Sequence, residues 1–182
     1  MKQSVQPLII LAVLMAATRM HHFGSALHFP DASLAVFLLA GVLLTSPLWF
    51  VILLAEAAAL DYVAIAQLGV DNYCMSPAYA FLIPTYGALW LAGRYYARIH
   101  QRSLQSLSIY AAISFLALNV AFVISNGSFY LFSGRYPGMG VAEYCAEMLP
   151  IYLPYLTSGA LYLACAAAIF AVFTSRSLTL AK

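Results

Sequence analysis

Long, unbroken apolar runs dominate this chain and decide what it can fold into. Of its 182 residues, 64% are hydrophobic and 8% are charged, whereas an ordinary soluble domain carries about 25% charged residues. Mean hydropathy is +0.90. So few charges cannot make a water-facing skin, and the apolar surface must meet lipid. In lipid every backbone polar group must be paired internally, which leaves helices or a closed barrel. The runs are continuous rather than alternating, so the expected class is an all-α membrane protein. The length suits one domain, a single transmembrane domain over residues 1–182.

A crossing helix needs about 20 apolar residues. Six candidates follow, at residues 4–23, 33–45, 47–68, 77–96, 107–125 and 148–173. The first begins as a signal peptide would, with Lys2 ahead of an apolar stretch from Pro7 to Ala17, and a cleaved leader is the competing reading. Ser46-Pro47 makes the tight turn before the third helix, because proline suits a helix start. Residues 126–145, with Gly127, Gly134, Pro137, Gly138 and Gly140, read as a long loop. Pro84, Pro150 and Pro154 fall in the halves of helices four and six nearest the loops. They imply broken helices lining a cavity, or simple kinks.

Charge sets the orientation. With six crossings, Lys2, Arg94, Arg98, Arg102, Arg176 and Lys182 fall on one side, and Arg19 and Arg135 on the other. The positive-inside rule then puts both termini in the cytoplasm. His21, His22, His28, Asp31, Asp71 and Cys74 all land outside, as do Arg135 and Cys145. The net charge of +2 is small. No basic run marks a nucleic-acid footprint, and there is no Walker motif, dinucleotide fingerprint or zinc-finger spacing. Any ATP hydrolysis must come from another chain.

Several of these residues can carry chemistry. Cys74 sits in Asp71-Asn72-Tyr73-Cys74-Met75-Ser76-Pro77, where a loop meets helix four. A helix N-terminus lowers a thiol pKa, and thiolate is a soft, strong metal ligand. An inert thiol, or a disulfide with Cys145 outside the cell, are the plain alternatives. Cys165 reads as packing. Histidine is the commonest metal ligand, but the spacing of His21, His22 and His28 fits no standard zinc motif, and His100 lies on the wrong side for a bis-histidine haem. Asp61 is a carboxylate within a membrane helix, and such residues are costly and usually functional. It lies about two turns from the end of helix three and could face a polar cavity; Glu56 lies deeper. Arg135 could clamp a phosphate or a carboxylate such as Glu143. Aromatic residues, Tyr73, Tyr79, Tyr130 and Tyr136 among them, crowd the same face. Most are an interfacial belt, and some could line a pocket for a large, flat ligand. Ala12 and Ala16 form a small-xxx-small pair that permits close helix approach.

Taken together, the histidine-rich end of helix one running into His28-Phe29-Pro30-Asp31-Ala32, Asp61 in helix three, and Asp71-Asn72-Tyr73-Cys74 followed by Pro77 and Tyr79 resemble the BtuM family of bacterial cobalamin transporters. The resemblance extends over nearly the whole chain. That family is similar to the substrate-binding S-components of energy-coupling-factor (ECF) vitamin transporters. The resemblance implies a six-helix bundle in the bacterial inner membrane with a ligand pocket on its outer, periplasmic side. It implies that Cys74 binds the cobalt of cobalamin axially and that cyanocobalamin loses its cyanide in the process. It also implies that Asp61, Tyr79, Arg135, Tyr73 and a histidine, His22 or His28, line or support the pocket. Finally, it implies that Ala12 and Ala16 could dock the chain on an ECF-type energising module.

Other functional classes make different demands. A membrane thiol oxidoreductase usually carries a Cys-x-x-Cys pair, and a hydrolase a His-Glu-x-x-His or Gly-x-Ser-x-Gly motif; neither is present. A cobalt or nickel ion transporter would lean on the histidines and leave Cys74 dispensable. A structural subunit would have no ligand at all.

Overall fold

A computed structural model of the chain describes residues 5–19, 29–73, 75–101 and 103–179, apart from the side chains of 104 and 172–179. The expectations placed on His21, His22, His28 and Cys74 lie outside the described residues. Six α-helices account for most of the rest: α1 (Gln6–Arg19), α2 (Ser33–Leu43), α3 (Pro47–Leu68), α4 (Leu82–Ile99), α5 (Leu104–Phe132) and α6 (Val141–Thr179). A 3-10 turn, Pro77–Phe81, runs into α4. No strand occurs among the described residues. Three helices contain stretches long and apolar enough to cross a bilayer, Pro47–Leu68, Gln105–Phe132 and Val141–Ala171.

Local chemistry explains the element ends. Ser46 accepts from the Leu48 N–H, Pro47 occupies the first turn, and Gly69 closes α3 at φ 67°. Only glycine adopts that left-handed backbone at no steric cost. Ser103 caps α5 by accepting from the Ser106 N–H. The 3-10 turn precedes α4 because Pro84 has no N–H to give the Ala80 carbonyl. The Leu82 N–H reaches back to the Tyr79 carbonyl instead.

The α5–α6 region departs most from the sequence expectation. The loop expected at 126–145 is largely helix, since α5 runs on to Phe132 and α6 begins at Val141. The polar residues there are satisfied within the helix: Asn126 Nδ2 donates to the Phe122 carbonyl and Ser128 Oγ to the Ser125 carbonyl. Nor do Pro150 and Pro154 break α6, which is continuous through both. Thr157 Oγ1 bonds back to the carbonyls of Leu153 and Pro154, within the same stretch.

α2 is the centre of the bundle. It is apolar all round, and Ala35, Val36, Phe37, Leu38 and Ala40 are fully buried, as expected of a helix surrounded by others. At 11 residues it is about 16 Å long, too short to span alone, but α1, α3, α4 and α6 all pack against it. Its closest neighbour is α4. A Cβ on Gly41 would collide with the Trp90 carbonyl, and one on Gly93 with the Leu38 carbonyl. Two glycines thus let the backbones touch, as small residues do in membrane helix pairs. Ala12 packs against the same core from α1, while Ile9, Ile10 and Val13 face outward.

Candidate functional site

One charged cluster lies where α1 ends and α2 begins, and Arg19 is its hub. Its Nε donates to Asp61 Oδ1 at 2.7 Å and its Nη2 to Asp61 Oδ2 at 2.6 Å. This is a two-pronged guanidinium–carboxylate pair, the strongest common form of ion pair. Nη1 donates to Ser33 Oγ and to the Tyr86 hydroxyl, each at 2.8 Å. Four of the five guanidinium N–H donors are therefore committed. The Arg19 side chain is 9% exposed.

The rest of the cluster follows from this hub. Asp31 lies 3.6 Å from Arg19 Nη1. Its Oδ1 accepts from both the backbone N–H and the hydroxyl of Ser33, at 2.9 and 2.6 Å, so it also caps the start of α2. Tyr79, in the 3-10 turn, donates its hydroxyl to Asp61 Oδ2 at 2.7 Å. Tyr86 lies two turns further on, stacked on Phe37 with ring centroids 4.1 Å apart. Thr18 fastens the helix end beside Arg19, since its hydroxyl accepts from the Ala32 N–H at 3.1 Å. One cation thus joins α1, the start of α2, α3 and α4, and reaches the 3-10 turn through Asp61. With two carboxylates against one guanidinium, the cluster carries one excess negative charge when all three are ionised.

A second, aromatic cluster lies at the same end. Arg135 donates from Nε to the Tyr73 carbonyl at 3.0 Å, and its guanidinium lies 3.9 Å from the centre of the Tyr73 ring. Its observed partners are therefore the backbone and ring of Tyr73, rather than Glu143. Tyr73 also meets Phe129, and Tyr136 packs among Phe129, Tyr130 and Tyr144. Burial, then the neighbouring Tyr73 hydroxyl, pushes the Tyr136 phenol above its ordinary range. These contacts stitch the segment before Cys74 to the α5–α6 connection. Cys145 is an exposed, free thiol, as is Cys165.

The structure brings together Asp61 and Tyr79, two residues singled out from the sequence, and separately Tyr73 and Arg135. It does not join the two pairs by any direct hydrogen bond among the described residues. Glu56 takes no part in either cluster. Sequence reasoning missed Arg19 and Tyr86 as site residues, treating Arg19 only as a charge for orientation. The available signal was Asp61 itself, because a carboxylate buried in a membrane needs a cation, and Arg19 stands at the matching end of a neighbouring helix. The α4–α5 end carries a smaller polar group, with the Tyr96 hydroxyl 2.7 Å from His100 Nδ1, so His100 is well removed in sequence and partner from the Asp61 cluster. No protein-family model and no curated protein matches the sequence.

Proposed function

We propose that this chain is a cobalamin-capturing membrane transporter, with the Asp61 end facing the periplasm and Cys74 as axial ligand of the cobalt. The observation that carries the reading is the 2.7 Å bond from the Tyr79 hydroxyl to Asp61. These are two carriers of the BtuM resemblance, 18 residues apart in sequence. Their contact fixes the turn that begins three residues after Cys74. The neighbouring tyrosine-rich surface supplies flat, amphipathic faces suited to a corrin ring. Six crossings, both termini in the cytoplasm and a bacterial inner membrane complete the proposal. α1, α2 and α4 would then be crossing elements that reach full depth with the help of their neighbours and flanks. An ECF-type module would supply the energy if one is used; of the two expected docking alanines on α1, Ala12 packs against the bundle core and Ala16 is half-buried.

In the capture step the Cys74 thiolate forms a sulfur–cobalt bond as the cobalt–cyanide bond breaks, and cyanide leaves with its electron pair. Cobalt keeps its oxidation state. A thiolate held beside the metal has a high effective concentration, which lets it displace a strong ligand.

The test is an absorbance spectrum of detergent-purified protein after incubation with cyanocobalamin and removal of free ligand, beside Cys74→Ala. Wild type should retain a corrinoid with a shifted spectrum, and the variant the unshifted cyano form or none. Identical spectra in both would remove the thiolate, and no retained corrinoid in either would remove the transporter reading. Binding of free cobalt or nickel that is indifferent to Cys74→Ala would point to the ion-transport alternative, and a redox-active Cys145 thiol to the oxidoreductase.

A further inference from the structure

We propose that Arg19 is the positioning residue of the Asp61 site: it holds Asp61 as a strut for Tyr79, and so sets the turn that follows Cys74. The proposal deepens the cobalamin reading and rests on it for its ligand. Asp61 has little left to offer a ligand, because Oδ1 takes Arg19 Nε and Oδ2 takes both Arg19 Nη2 and the Tyr79 hydroxyl. Its observed work is to connect the two.

Tyr79 is locked from both sides. Its backbone N–H donates to the Ser76 carbonyl at 2.8 Å, and its carbonyl receives the Leu82 N–H. Through its phenol, which donates to Asp61, the turn is tied across to α3. Arg19 is itself over-determined, gripped by Asp61, Ser33 and Tyr86 and 9% exposed. Its position is thus set by three other helices, and it passes that geometry to Tyr79. Lysine keeps the charge but is a point donor on a flexible stem and cannot make the fork. The shape of the guanidinium is what the strut requires.

The experiment uses the full chain with Arg19→Lys, Tyr79→Phe and the double variant, on monodisperse protein in detergent. Cyanocobalamin is titrated and the retained corrinoid measured. Losing a charge-assisted bond weakens retention about tenfold in each single variant. If Arg19 acts through Tyr79, the double variant is no worse than the weaker single. A multiplied loss of about a hundredfold, or Arg19→Lys behaving as wild type, overturns the proposal.

A second readout needs no ligand. In a Cys145→Ser/Cys165→Ser background, the rate of maleimide reaction at Cys74 should shift severalfold, and equally, in Arg19→Lys and Tyr79→Phe. Should wild type retain no corrinoid, the cobalamin reading falls while these rates still decide the role of Arg19: equal shifts support it, unchanged rates overturn it. Where Arg19→Lys does not fold, Arg19→Met/Asp61→Leu replaces the pair by apolar side chains of similar size, an exchange that buried ion pairs often tolerate. Adding Tyr79→Phe to that variant should leave the Cys74 rate unchanged, and a further shift overturns the proposal.

Discussion

At the scale of single residues, the Arg19–Asp61 pair has an asymmetric energetic signature. Taking two charges out of water is costly, and the pair recovers that cost only because both ends are bonded. Removing Asp61 breaks the fork and leaves Arg19 with only the longer 3.6 Å contact to Asp31 for a counter-charge. Asp61→Asn should therefore destabilise the protein by about 3 kcal/mol or more, read as a large fall in thermal midpoint in detergent. Tyr86→Phe is milder. The ring keeps its stack on Phe37, and only one of the two acceptors for Arg19 Nη1 is lost, a change of about 1.5–3 kcal/mol for a bond to a charged group. A midpoint in Asp61→Asn equal to that in Tyr86→Phe would mean that Arg19 is not held by its fork. This residue-level logic was half visible in the sequence. Asp61 announced that a charge sat in an apolar helix, but not where its partner came from. Pairing between α1 and α3 is a property of three-dimensional register, and 42 residues separate Arg19 from Asp61.

At the scale of elements, the ends of α3 were legible, whereas the start of α5 at its Ser103 cap and the helical run past Ser125 were not. Ser46, Pro47 and Gly69 carry their own conformational instructions, and α3 falls at the expected residues 47–68. The polar, glycine-containing stretch after Ser125 looked like a loop. It is helical, with the polar side chains of Asn126 and Ser128 bonded to carbonyls of their own helix. The α2–α4 contact left no sequence signal beyond two glycines, yet it is the tightest packing in the bundle. Gly93→Ala pushes a methyl into the Leu38 carbonyl, and the nearest atoms it meets are all backbone. Overpacking of this kind costs about 1–3 kcal/mol. Gly87→Ala is the control on the same helix, with only the Phe50 ring tip at 4.0 Å. It should be neutral or stabilising by up to about 1 kcal/mol, from alanine's higher helix propensity. Thermal midpoints of the two variants measured side by side decide the point. Equal midpoints would mean that α2 and α4 do not approach as closely as the two glycines allow.

At the scale of the whole molecule, composition dictated the class, and helix lengths divide the bundle into two kinds of element. α3, α5 and α6 contain stretches long and apolar enough to cross a bilayer by themselves. The short α2 is instead largely enclosed by protein, with Leu43 exposed at its C-terminal end. That enclosure is why an 11-residue helix needs no full hydrophobic span, and it makes the crossing number a question of where the connections emerge. In the proposed orientation, the α2–α3 turn and the C-terminal end of α6 lie on one side, and the α5–α6 connection on the other. In a Cys74→Ala/Cys165→Ala background, the native Cys145, exposed near the start of α6, should react with a membrane-impermeant maleimide in intact cells whose outer membrane has been opened. A cysteine at Thr45→Cys or Ser175→Cys in a further Cys145→Ala background should react only after the inner membrane is permeabilised. If Cys145 and Ser175→Cys label from the same side, α6 does not cross, and the placement of the Asp61 cluster on the outer face fails with it. Opposite labelling of those two, with Thr45→Cys on the side of Ser175→Cys, places the α2–α3 turn in the cytoplasm, which would put Arg19, Asp61 and Tyr79 towards the periplasmic end of the bundle, as the proposed function requires.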